Sequence, residues 1–181
     1  PAPTRPHAPV ASGACGGYRW PIKIATDPGA SSISGNAQPS TIAELIALPA
    51  PPENSAAPRN AIEMRTYRLT NVTLAEIFQE HDLDYHLIVR DGSGHTMIAE
   101  SPNPGCAGSS ALTGQIAAVR SRLSARFHSL GTTRGTLSPA TPVTIEGVGF
   151  FDAVNGTGGQ ARNGIELHPI TGLCFGENCS I

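Results

Sequence analysis

The stretch Glu80–Glu100, EHDLDYHLIVRDGSGHTMIAE, decides how the chain is read. Asp91-Gly92-Ser93-Gly94 is a tight-turn signal, because glycine reaches the positive φ that hairpin turns require. On either side lie short runs rich in branched apolar residues, Asp84–Asp91 and His95–Glu100. The stretch is therefore an acidic loop followed by a β-hairpin. It also concentrates ionisable side chains: Glu80, His81, Asp82, Asp84, His86, His95 and Glu100.

Working outward, Glu63–Phe78 (EMRTYRLTNVTLAEIF) is rich in β-branched residues and reads as a long strand preceding the hairpin. Pro102 and Pro104 end the hairpin's second strand. Thr113–Leu130 is the clearest helix, with Ile116, Val119, Leu123, Phe127 and Leu130 at helical spacing, Thr113 as its cap and Gly131 as its stop. Pro142–Asp152 and Ile165–Phe175 are two further strands, the second interrupted at Pro169. The order β-β-β-α-β-β, with the helix between strands three and four, resembles an OB-fold over Ile62–Phe175. The expected class is mainly β, a five-stranded OB-like Greek-key barrel.

Upstream of this core, residues 1–17 read as a Pro/Ala-rich arm and residues 18–60 as an extension packed on a domain spanning 61–181. Within the extension, Tyr18–Ala25 (YRWPIKIA) reads as a short edge strand, Asp27–Gln38 as a loop, and Ser40–Leu48 as a short helix. Ser40 or Thr41 caps that helix, Glu44 lies in its first turn, and Pro49, Pro51 and Pro52 end it.

The 181 residues include only 14% charged side chains and carry a net charge of −2, so no global field attracts nucleic acid or anionic membrane. No apolar run reaches the roughly 18–20 residues of a membrane span. Cys15, Cys106, Cys174 and Cys179 form no C-x-x-C, which argues against a zinc knuckle or a thioredoxin-type site. Two disulfides are expected; of the three pairings, Cys15–Cys106 with Cys174–Cys179 is preferred. With the N-terminal PAPTRPHAPVASGAC, which reads as the start of a processed chain, they point to secretion into an oxidising, extracellular compartment.

Several blocks are similar to a family of uncharacterised, mostly exported bacterial proteins. These are Asp82-Leu83-Asp84-Tyr85-His86-Leu87, Thr96–Glu100, Gly147-Val148-Gly149-Phe150-Phe151-Asp152 and Asn163-Gly164-Ile165-Glu166-Leu167-His168-Pro169. The resemblance implies no activity. Many members of the family the chain resembles carry His-Gly where this chain has Asn155-Gly156, a departure that removes one candidate imidazole.

An OB-like core binds ligands across its second and third strands, between the loops joining strands one–two and four–five. Here those loops are Glu80-His81-Asp82 and Asp152–Gly164. Asp84 with His86, and Glu166 with His168, are i, i+2 pairs that share a strand face. Such acid–imidazole pairs can hold a divalent metal or supply a general base with its orienting partner. The candidate ligand-binding set is Glu80, Asp82, Asp84, His86, Arg68, Arg90, Glu166 and His168; the candidate metal set is Asp84, His86, Glu166 and His168. Any site is thus composite, built from Glu80–Glu100 and Asp152–His168. No cofactor beyond a divalent ion is implied. An acidic loop repels a bare polyanion, so nucleic acid would bind only with metal assistance. No G-x-S-x-G or H-E-x-x-H occurs, and the Gly-rich Asn155–Gly164 lacks P-loop spacing. Three functions fit: a secreted binding module for an oligosaccharide, peptide or protein partner; a metal-dependent nuclease or phosphodiesterase; or a structural assembly protein that forms homo-oligomers through its N-terminal arm.

Overall fold

The computed structural model describes residues 15–128, 130–177 and 179–181. Most of the first-17 arm therefore lies outside the described residues. The elements are α1 (Trp20–Lys23), a 3-10 turn (Ala30–Ser32), β1 (Gln38–Ser40), α2 (Ile42–Ile46), β2 (Thr66–Gln79), β3 (Tyr85–Asp91), β4 (Thr96–Ser101), α3 (Thr113–Arg126), β5 (Gly135–Phe151) and β6 (Ile165–Phe175). The chain is mainly β, with a six-stranded mixed sheet of order β1-β2-β3-β4-β6-β5 in which β5 also pairs with β2.

The hairpin forms where its turn residues put it. Asp91 Oδ1 accepts from the backbone N–H of Ser93 and of His95, and Gly94 takes a φ of +88°. That closure pairs Arg90 with Thr96 and places His86 directly opposite Glu100. β2 is long enough to have different neighbours along its length. Its first residues pair with parallel β1, its later ones with β3, and its other edge with β5. Register shifts between Leu69 and Val72, where Asn71 has a φ of +56°, and between Leu74 and Glu76 let it bend around the core. The sheet is not a regular barrel: those shifts recur between β5 and β6, and β4 meets β6 at a single paired position, Ala99 with Leu167.

Several elements differ from the sequence expectation. The sheet has six strands because Gln38–Ser40, read as loop and helix start, pairs with Tyr67–Leu69. Tyr18–Ala25 contains the helix α1 in place of a strand; Pro21 sits in its first turn, where a missing N–H costs nothing and the fixed φ suits helix. α3 ends at Arg126, and its N-cap is Leu112; Thr113 instead donates its hydroxyl to the Ser110 carbonyl at 2.6 Å. β5 starts at Gly135, upstream of Pro142, because its exposed first half pairs with the end of β2 where Pro139 and Pro142 break the apolar pattern. β6 covers Ile165–Phe175 without a break at Pro169.

One face of the sheet makes the main core. Leu69, Leu74, Ile77, Leu87, Val89, Met97, Ala99, Ile145, Leu167 and Leu173 pack together with Ile42 and Leu45 of α2 and with Val119 and Leu123 of α3. Each buried Leu, Ile, Val or Met side chain among them contributes roughly 1.5–3 kcal/mol of transfer free energy. Thr41 caps α2 with a reciprocal capping box to Glu44, as its position ahead of the apolar run dictates. The preferred disulfides are both present, Cys15–Cys106 and Cys174–Cys179.

Candidate functional site

Strand alternation builds the site. On β3, Leu87 and Val89 enter the main core, so His86 points to the opposite face; on β4, Met97 and Ala99 do the same and turn Glu100 outward. On β6, Ile165 and Leu167 face the core while Glu166 and His168 take the other side. Neighbouring strands thus bring Asp84, His86, Glu100, Glu166 and His168 onto one face. That face is not open to solvent: these side chains are from 0% to 3% exposed. α1 is packed over it, and the Lys23 carbonyl accepts from His168 Nδ1 at 2.8 Å.

Glu100 is the hub. Its Oε1 accepts from His86 Nδ1 at 2.8 Å, and the same nitrogen is 3.0 Å from Glu80 Oε1. Its Oε2 lies 2.8 Å from His168 Nε2 and 3.4 Å from Lys23 Nζ. Lys23 also reaches Asp152 Oδ2 at 3.0 Å, and His168 Nε2 lies 3.4 Å from Asp84 Oδ2. The His168–Glu100 distance is short but its direction is poor, so neither His168 Nε2 nor Asp84 Oδ2 has an aligned hydrogen bond. Glu166 Oε2 is likewise buried without one.

Charge and burial set the protonation of this network. Burial alone would lower His86, but its hydrogen bonds to Glu100 and Glu80 push it up to about 10. Burial also acts downward on His168, and Asp84 and Glu100 outweigh it, raising the ring to about 9. Burial would raise Glu100, yet Lys23, His168 and His86 hold its carboxyl well below the usual range. Glu166 goes the other way, well above that range, through burial and then the negative Glu100 and Asp152. Burial opposes the Lys23 ammonium, while Glu100 and then Asp152 keep it charged. Asp82 rises to about 6 through burial and the neighbouring Asp84. The result is an ion network with Glu100 as its shared anion and Glu166 as a neutral acid.

The composite grouping of Glu80–Glu100 with Asp152–His168 is physically realised, since His86 and His168 share Glu100. The candidate arginines do not join it: Arg68 pairs with Glu146 at 2.5 Å on β5, and Arg90 lies exposed on β3. Sequence reasoning missed Lys23 altogether, because Tyr18–Ala25 read as a strand. It also missed Glu100 as hub, although counting back from the Asp91–Gly94 turn places Glu100 opposite His86. A second buried pair, Arg19 with Glu63, is bidentate at 2.6 and 2.8 Å and stands beside the first, with the Arg19 guanidinium 5.4 Å from the Phe150 ring centre.

Beside the network lies a small cleft of about 190 Å³ between the Pro51–Pro58 segment and the β5–β6 connection. Its lining includes Tyr18, Pro52, Phe151, Asp152, Val154 and Asn163. Asp152 links cleft to network, since it also holds Lys23. Val154, on the cleft wall, is 59% exposed.

Compared with protein-family models, with curated proteins and with solved structures, the chain matches none. The functional reading therefore stands on geometry. Among the described residues no helix is long and apolar enough to cross a membrane, and no cysteine is free.

Proposed function

We propose that the chain is a secreted OB-like binding module, related to the exported bacterial family its sequence blocks resemble, whose ligand is an oligosaccharide or short peptide. The strand pairings support the OB-like reading: β2, β3, β4, β6 and β5 pair in that order, β5 returns to β2, β4 and β6 are parallel, and α3 lies between β4 and β5. Two disulfides suit an oxidising compartment. The observation that carries the binding site is the cleft beside the β5–β6 connection, one of the two loops such a module uses for ligands. The cleft has apolar walls with a few polar groups, the usual make-up of a small-ligand site. Of its charged lining, Arg19 is paired with Glu63 and Asp152 with Lys23, which leaves no surplus of cations to draw a polyanion and favours a neutral ligand. The sheet face expected to bind ligand is closed by α1, which moves the site toward this rim.

The reading is tested by titrating isotope-labelled protein with neutral oligosaccharides and short peptides while following amide resonances. Saturable shifts are expected at Phe151, Val154 and Asn163, and Val154→Arg is expected to abolish them without changing the melting temperature. Binding that leaves these residues unmoved, or that survives Val154→Arg, sinks the proposal.

A nuclease or phosphodiesterase reading has one observation in its favour, the convergence of Asp84, Glu100 and His168. Their burial leaves a phosphodiester no access, so it ranks second. Incubation with plasmid DNA and RNA in Mg2+, Ca2+, Mn2+ or Zn2+, with and without EDTA, is expected to leave both intact.

A further inference from the structure

At the centre of the network Asp84 and His168 are each tied down at one polar atom and unpartnered at the other, and Glu100 turns toward them a second oxygen whose only hydrogen bond is a long one, 3.4 Å, from Lys23 Nζ. Asp84 Oδ1 accepts from the backbone N–H of Asn103 at 3.0 Å. Glu100 Oε1 accepts from His86 Nδ1 at 2.8 Å. His168 Nδ1 faces the Lys23 carbonyl at 2.8 Å, and since a carbonyl only accepts, that nitrogen carries the hydrogen. The atoms left over are Asp84 Oδ2, Glu100 Oε2 and His168 Nε2, and they converge within 4.8 Å of one another. Asp84 and His168 are fully buried, and neither converging atom has an aligned hydrogen bond. A cation entering here would displace the Nε2 proton of the charged His168 ring, and the freed lone pair would join the two carboxylate oxygens around it.

We infer that Asp84, Glu100 and His168 form a buried binding site for a divalent transition-metal ion of the zinc class. Tetrahedral ligands about 2.0–2.1 Å from a metal lie about 3.3 Å apart. His168 Nε2 is 3.4 Å from Asp84 Oδ2 already, and its 2.8 Å separation from Glu100 Oε2 opens by a small side-chain movement. One imidazole with two carboxylates suits zinc or manganese better than calcium, which takes six to eight oxygens. The orienting partners are those metal-bound groups use: a carbonyl behind the histidine, and hydrogen-bond donors behind both carboxylates. Lys23 is compatible with the ion because Asp152 holds its ammonium at 3.0 Å, closer than Glu100 does at 3.4 Å. The adjacent group of Glu80, His86 and Glu100 needs no ion, since the His86 Nδ1 hydrogen already lies between its carboxylates. No cleft-lining residue is a ligand, so this inference stands apart from the cleft reading.

The test uses the full chain, stripped with EDTA and titrated calorimetrically with Zn2+, and in parallel with Mn2+ and Ca2+. One Zn2+ per chain is expected, with a raised melting temperature, Ca2+ weakest, and affinity lowered about tenfold or more in Asp84→Asn and in His168→Gln. Should those variants not fold, nitrogen-15 histidine spectra of the unmutated protein decide. Stoichiometric Zn2+ is expected to move the His168 Nε2 resonance to its metal-bound position while Nδ1 keeps its proton. Three results overturn the site: no saturable Zn2+ uptake, a His168 Nε2 that keeps its proton at saturating Zn2+, or binding that survives both substitutions and is lost in His95→Gln of the exposed Asp91–His95 pair.

Discussion

Glu100 and Glu166 are both buried glutamates on one sheet face, yet their environments give them opposite roles. Glu100 is surrounded by Lys23, His86 and His168 and stays an anion. Glu166 is buried beside Glu100 and Asp152 and holds its proton. Replacing each by glutamine separates the two. Glu100→Gln strands three cationic partners and is expected to cost about 3–5 kcal/mol, the usual penalty for removing one member of a buried ion pair. Glu166→Gln exchanges one neutral group for another of like shape and should cost less than about 1 kcal/mol. Urea unfolding of both variants in metal-free buffer is the measurement; equal losses would contradict this division. Gly164 shows a second residue-scale constraint. Its φ is +74°, and a Cβ there would come 2.4 Å from the Asp152 carbonyl oxygen, a backbone atom that cannot swing aside. Gly164→Ala is expected to cost more than the roughly 1–2 kcal/mol of left-handed strain alone and to disturb the cleft wall. Its thermal melt, compared with that of alanine at open Gly92, checks this.

At the scale of elements, the short α1 is held less by helix propensity than by what it reaches. Its Lys23 enters the ion network, its backbone orients His168, and Arg19 just before it grips Glu63. α2 is five residues long and depends on its cap and its buried Ile42 and Leu45. Thr41→Ala removes the side-chain half of the capping box and is expected to cost about 1 kcal/mol, read as a lower melting temperature. Element identity was legible in the sequence where pattern and punctuation agreed. The hairpin, α2, the helix from Thr113 and the strand Ile165–Phe175 are such cases. It was not legible where they conflicted. Tyr18–Ala25 alternates like a strand, but Pro21 fits a first helical turn and tertiary anchoring by Arg19 and Lys23 settles the matter. The start of β5 has prolines and polar residues, and only its pairing with Glu76 and Ile77 makes it a strand.

For the whole molecule, residues 18–60 act as a cover bonded to the sheet. β1 pairs with β2, His168 of β6 donates to the Lys23 carbonyl at 2.8 Å, and the Cys15–Cys106 bridge ties the chain just ahead of the cover to a point 91 residues on. A disulfide closing so long a loop restricts the unfolded chain strongly. Replacing Cys15 and Cys106 by serine is expected to cost about 2–4 kcal/mol, whereas the same change at Cys174 and Cys179, only 5 residues apart, should cost less. Denaturant midpoints of the two double variants provide the comparison.

The amino-acid sequence by itself determined that this protein is mainly β, where its hairpin turns, and that acid–imidazole pairs share strand faces. These are local properties, set by turn chemistry and by the two-residue repeat of a strand. Only the tertiary structure decided that the charged face is sealed, that Glu100 is its centre, and that Lys23 supplies a cation from far upstream. Those outcomes depend on which strands become neighbours and on what lies over them. A side chain's charge and exposure follow from partners distant in the chain, which no local pattern specifies.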